Sequence, residues 1–227
     1  MRYVILLMLL LPAPGWAGET IRVAVAANFR HTLEAINAGF EAHSGHRVLV
    51  SSASTGVLYS QIVYGAPFDV FFAADTTTPA KLTSPARTPF CYARGRLVLV
   101  GASRGLQQLA DPSLDLAIAN PATAPYGQAA MDVLSRAEFA AAKGRKVVRG
   151  ASVVQAYQFW HSGGIDLALL PWSLAPQALL IPASWHRSLE QHAIALNASS
   201  PVNAYLNWVR SDTVLTQISN AGYEPCP

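Results

Sequence analysis

Residues 21–40 read IRVAVAANFRHTLEAINAGF, and the change of period inside this stretch decides the fold class. Its first seven residues form an apolar run containing β-branched Ile21, Val23 and Val25, which predicts a short strand. Beyond Asn28 the period lengthens: Leu33, Ile36 and Phe40 fall at i, i+3 and i+7, one apolar face of a helix. The same succession then repeats. Residues 47–52 (RVLVSS) predict a second strand, followed by a helix carrying Leu58 and Ile62 and stopping near Gly65. Residues 69–74 (DVFFAA) predict a third strand. Apolar strands alternating with helices point to a parallel sheet covered on both faces.

Working outward, a second unit of the same kind follows. Residues 96–100 (RLVLV), 115–119 (DLAIA) and 166–170 (DLALL) predict strands. Residues 127–142 predict one helix using Met131, Leu134 and Phe139, and residues 152–160 another that ends before Gly163-Gly164. A return strand at 192–196 (HAIAL) and a last helical stretch over 202–218, with Tyr205, Val209 and Leu215 for packing, complete the chain. No internal repeat occurs, and no Pro/Gly/Ser linker is long enough to separate independent domains. Two lobes joined by more than one strand are expected.

Composition narrows the class further. The chain has 227 residues, 52% hydrophobic and 13% charged, enough to bury a full core and too apolar for disorder. Sixteen Lys and Arg against 13 Asp and Glu give a net charge of +3, with no basic cluster to neutralise a row of phosphates, so nucleic acid is not an expected partner. Residues 1–17 combine Arg2, an apolar run over 4–11 and small Gly15 and Ala17 before a cleavage point, the pattern of a secretory signal peptide. An exported chain keeps disulfides, so Cys91 and Cys226, the two cysteines present, are candidates for one bond tying the C-terminus to the body. The six histidines (His31, His43, His46, His161, His186, His192) contain no H-x-x-x-H pair, and no metal site or cofactor is expected.

The informative residues lie at four strand-to-helix junctions: Ala26-Ala27-Asn28-Phe29, Ala53-Ser54-Thr55-Gly56, Ala124-Pro125-Tyr126-Gly127 and Gly150-Ala151-Ser152-Val153. Ligands of open α/β sheets sit beyond the carboxyl ends of the strands. Each junction there exposes unpaired N–H groups at a helix N-terminus, where the aligned peptide dipoles amount to about half a positive charge. Several such ends facing one cleft would suit a small anion. Taken singly, Asn28, Ser54, Thr55 and Ser152 read as helix caps, so the inference rests on the four together. Asp75 is expected to cap the turn at Thr76-Thr77-Thr78, and Arg30 to be solvated. No junction contains Asp or Glu. That disfavours phosphate, which keeps a proton on part of its population and rewards an acceptor, and suits a fully deprotonated oxyanion, which needs only donors.

The runs VAVAANF, HTLEAI, SSASTGVLYSQI, GAPFDVFFAAD and NPATAPYGQAA together resemble the periplasmic molybdate-binding proteins of ABC transporters, over nearly the whole mature chain. The resemblance implies the two-lobed type II periplasmic binding fold, an α/β architecture in which each lobe is a mainly parallel sheet flanked by helices. The expected division is a signal peptide at 1–17, a first lobe of 18–93 plus 193–227 and a second lobe of 94–192. It further implies a molybdate or tungstate site formed by Ala27, Asn28, Thr55, Tyr126 and Val153, with no catalysis, a membrane permease as partner, and a monomeric periplasmic protein. Two positions depart from family patterns. Thr55 stands where many members have Ser, and Pro171, which has no N–H to donate, stands where one subgroup has Tyr, leaving Tyr126 as the substitute. Two other readings are weighed beside this one: the same fold binding sulfate, thiosulfate or a small carboxylate, and an exported α/β hydrolase using Ser54 or Thr55, for which the G-x-S-x-G elbow is missing.

Overall fold

A computed structural model describes residues 18–84 and 87–227; the signal peptide expected at 1–17 lies outside the described residues. Strand β1 (Thr20–Ala26), helix α1 (Arg30–Ser44), β2 (Arg47–Ala53), α2 (Thr55–Val63), β3 (Val70–Phe72) and the short α3 (Thr77–Ala80) follow the anticipated alternation. Leu33, Ile36 and Phe40 of α1 are buried against β1, as their spacing requires. The helix stops at Gly45, whose φ of +74° closes its last turn through an N–H bond to the Glu41 carbonyl.

The chain then crosses between lobes. β4 (Phe90–Arg94) remains in the first sheet, whereas β5 (Leu97–Val100), β6 (Leu116–Ala119), α4 (Pro125–Leu134), β7 (Val147–Gly150), α5 (Val153–His161), β8 (Leu167–Pro171) and the two-residue β9 (Leu179–Leu180) build the second lobe. β10 (Glu190–Ala195), α6 (Ser200–Val209) and α7 (Asp212–Asn220) return to the first. The sheet orders are β2-β1-β3-β10-β4 and β7-β6-β8-β5-β9. Neighbours are parallel except that β10 runs against β3 and β4, and β5 against β8 and β9. Every residue of β5, β6 and β8 is buried, which is why these strands read as unbroken apolar runs rather than alternating ones.

Three sequence expectations shift. The helix expected over 127–142 is two elements, α4 and a 3-10 helix at Ala137–Ala142, because Arg136 between them is extended; Met131 is partly exposed rather than core. The stretch expected over 202–218 divides into α6 and α7 where Ser211 turns extended, and Leu215 faces outward. The return strand begins at Glu190, so residues 190–192, expected in the second lobe, pair with β4 in the first.

Two segments therefore bridge the lobes, Gly95-Arg96 and Ser188-Leu189, and they run side by side with the Gly95 N–H bonded to the Leu189 carbonyl at 2.9 Å. A third piece of chain lies across them. The C-terminal tail bridges to β4 through reciprocal backbone bonds between Arg94 and Glu224. Cys91 and Cys226 form a disulfide at a Cα separation of 6.0 Å. Gly222, with φ +91°, lies against the Trp172 ring of the second lobe, where any β-carbon would collide. The Arg96 guanidinium packs over the same ring, 4.4 Å from its centre, and donates to the Gly222 carbonyl at 3.1 Å.

Candidate functional site

The four junctions meet between the lobes. Ala26, Ala27, Asn28, Ser54, Thr55 and Ala74 from one side, and Ala124, Pro125, Tyr126 and Val153 from the other, line a single narrow cleft. All five residues expected at the site are thus brought together, and no lining residue is charged. The lobes touch at its edge, where the Gly56 N–H donates to the Thr123 carbonyl at 2.8 Å across the gap.

The local reason for the convergence is that each lining residue sits where a strand has just ended and a helix begins. Helix α4 opens with Pro125, which has no N–H to leave unpaired. Among the described residues the N–H groups of Asn28, Thr55, Tyr126 and Val153 have no protein acceptor. The Ala27 N–H differs: it completes the sheet by bonding the Ala53 carbonyl at 3.0 Å, so Ala27 supplies wall rather than donor.

The side chains divide similarly. Thr55 Oγ1 accepts the Ala74 N–H at 3.0 Å, and the Tyr126 oxygen accepts from Gln191 Nε2 at 3.3 Å. In each hydroxyl an acceptor site is filled by protein, so the proton remains to be donated. Ser54 Oγ is buried with no partner, an orphaned group at the cleft wall. The side chain of Asn28 turns inward: Nδ2 donates to Gln191 Oε1 at 2.8 Å and to the Tyr223 oxygen at 3.3 Å. The Asn28 backbone carbonyl accepts from the Tyr223 hydroxyl at 2.6 Å and from Ser173 Oγ at 3.2 Å. Burial pushes the Tyr126 phenol well above its ordinary pKa, with the neighbouring Tyr223 adding to the shift. Burial likewise raises Tyr223 to about 12. Both stay protonated donors throughout the physiological range.

Outside the cleft, Asp75 accepts from the Thr78 N–H and Oγ1, both at 2.8 Å, capping its turn as expected. Arg30 pairs with Glu34 on the solvated face of α1. Among the described residues neither Ser54 nor Thr55 is hydrogen-bonded to a histidine, the base that would activate a hydroxyl nucleophile. Among the described residues Cys91, Glu190 and His192 cluster within 4.8 Å, but the Cys91 sulfur is bonded to Cys226 and is not a thiolate ligand. Sequence reasoning passed over Gln191, Tyr92 and Tyr223. They come from a return strand, an unanticipated strand and the tail, and no spacing in the sequence connects them to the junctions.

A family model described as bacterial extracellular solute-binding protein matches residues 21–224. The chain belongs to this family. As a solute-binding protein it is 44% identical over 163 residues to the molybdate-binding protein ModA of Azotobacter vinelandii, a match covering 67% of this chain and 65% of that protein. It is 33% identical over 230 residues to ModA of Rhodobacter capsulatus, covering 94% of this chain and 91% of that one. Among solved structures, the periplasmic molybdate-binding protein of A. vinelandii superimposes with a TM-score of 0.81 at 34% identity, covering 91% of this solute-binding protein and all of its counterpart.

Proposed function

We propose that this solute-binding protein captures molybdate or tungstate outside the cytoplasmic membrane and delivers it to the permease of an ABC importer. The observation that carries the reading is the cleft's chemistry: four unpartnered backbone N–H groups and the hydroxyls of Ser54, Thr55 and Tyr126, drawn from both lobes, with no ionised group among them. A tetrahedral dianion whose oxygens all accept is matched by such a donor set. Neutral dipoles fixed before binding hold it without burying a countercharge, avoiding the desolvation that an ion pair would bring. The named relatives support the same ligand.

In this reading Asn28, Thr55, Tyr126 and Val153 bind through backbone N–H groups, Thr55 and Tyr126 also through hydroxyls, and Ala27 shapes the wall. Residues 1–17 direct export, and the protein works as a monomer without a cofactor or catalytic step. Isothermal titration with molybdate, tungstate, sulfate and phosphate tests it. Tight binding of the first two with weak or no binding of phosphate is expected. Absence of heat with both molybdate and tungstate refutes the assignment, and equal affinity for sulfate replaces it with the smaller dianion.

A further inference from the structure

Gln191 is fully buried at the start of β10, immediately after the second crossing between lobes. The pairing of β10 with β4 slips there: Gln191 faces Ala93 while His192 faces Cys91, leaving Tyr92 as the extra residue of a bulge. Bulges re-aim side chains, and here Tyr92 and Gln191 meet in the core between the lobes. The Gln191 amide is held from three sides. Oε1 accepts from Asn28 Nδ2 at 2.8 Å, on the first junction, and lies 2.9 Å from the Tyr92 hydroxyl, whose one proton it shares with the Ala73 carbonyl at 3.1 Å. Nε2 donates to the Tyr126 oxygen at 3.3 Å, on the third junction and in the other lobe. Gly95, on the adjacent crossing, leaves room for this contact, since a β-carbon there would fall on the Tyr126 oxygen and crowd Gln191 Nε2.

An amide has one acceptor end and one donor end. Asn28 Nδ2, itself oriented by the Tyr223 oxygen it also meets at 3.3 Å, makes Oε1 the acceptor end, so Nε2 faces Tyr126. A phenol oxygen accepting from Nε2 then keeps its single proton for another acceptor, and the cleft is where the residue sits. We infer that Gln191 is a positioning residue that sets the polarity of the site, turning the Tyr126 hydroxyl into a donor toward the bound anion and latching the two lobes through one side chain. This rests on the oxyanion reading above, and it extends the site to a residue that does not line the cleft.

Replacing the amide by a carboxylate tests the polarity directly. The carboxylate of the Gln191→Glu variant still accepts from Asn28 and Tyr92 but also accepts from Tyr126, withdrawing the proton from the ligand. The ionisable groups around it are Tyr92 on β4, Tyr126 on α4, Tyr223 on the tail, Asp75 beyond Tyr92 and Arg96 beside Tyr126. Molybdate affinity is measured by calorimetry for the native protein, Gln191→Glu, Gln191→Met, Tyr126→Phe and the Gln191→Met/Tyr126→Phe pair, with unfolding followed by circular dichroism. Gln191→Glu is expected to weaken binding about thirtyfold near neutral pH and to recover part of it toward about pH 5, where a protonated carboxyl donates again, while the native protein does not follow that trend. Gln191→Met is expected to weaken binding about five- to tenfold in the native background and less than about twofold once Tyr126 is replaced by Phe, because its effect passes through that hydroxyl.

Equal losses in both backgrounds, or an unchanged Gln191→Met, overturn the positioning role while leaving the ligand assignment intact. A native protein that binds neither molybdate nor tungstate overturns both. If the Gln191 variants do not fold, Asn28→Ala decides: removing the donor that orients Oε1 while keeping the backbone N–H is expected to weaken binding about threefold, and unchanged affinity refutes the inference.

Discussion

Replacing Tyr126 by Phe removes one oxygen and leaves the ring, so its effect isolates the phenol. The residue is 2% exposed, and its oxygen has a protein donor, Gln191 Nε2, at 3.3 Å. Two losses follow. A hydrogen bond to a charged acceptor contributes about 1.5–3 kcal/mol, so the dissociation constant for molybdate should rise roughly ten- to a hundredfold. Separately, Gln191 Nε2 is left buried without its acceptor, which should lower the stability of the ligand-free protein by about 1–3 kcal/mol. Calorimetric titration reads the first and denaturant unfolding without ligand reads the second. Because burial holds the phenol well above its ordinary pKa, the native affinity should stay flat from about pH 6 to about pH 9, where an unperturbed tyrosine would begin to lose its proton. A variant that is less stable yet binds with native affinity would show that the phenol supports the fold only, and the donor assignment at this junction would fall.

Other perturbations probe the frame around the site. Gly95→Ala places a methyl on the Tyr126 oxygen beside the crossing; overpacking of this kind should destabilise the closed lobes by about 1–3 kcal/mol, and native affinity together with a native melting temperature would contradict the close approach. The Cys91–Cys226 bond spans 135 residues of sequence, so Cys226→Ala or reduction should lower stability by about 2–4 kcal/mol, read by thermal unfolding with and without reductant. Asp132 accepts from Arg187 through both carboxylate oxygens, which holds its carboxyl below the usual range. A depressed folded-state pKa means the contribution is present above the unfolded value of about 3.9 and is lost as pH falls through the folded one. Asp132→Asn should therefore flatten that part of the acid unfolding curve, and an acid limb identical to the native one would remove the pair from the stability of the second lobe.

The alternation of apolar strands with amphipathic helices was settled by sequence alone. Runs such as residues 97–100 and 167–170 are apolar at every position because both faces of a central strand are covered, and Leu33, Ile36 and Phe40 can share a buried face only on a helix. The four junctions were legible for the same reason, since the end of an apolar run and the start of a 3.6-residue period mark where a strand delivers unpaired N–H groups. What the helices did with their breaks was less legible: nothing in the apolar pattern marks Arg136 or Ser211 as extended, because one residue's torsion leaves the surrounding periodicity intact.

Tertiary structure alone decided how the donors are shared. Asn28, a natural cap by type, spends its amide donors on Gln191 and Tyr223, residues 163 and 195 positions away, and Ala27 gives its N–H to the sheet. Sequence spacing reports periodic neighbours along one element. Hydrogen-bond polarity depends on which distant groups close around an atom, and that is fixed only when two crossings and a stapled tail are brought to the same point.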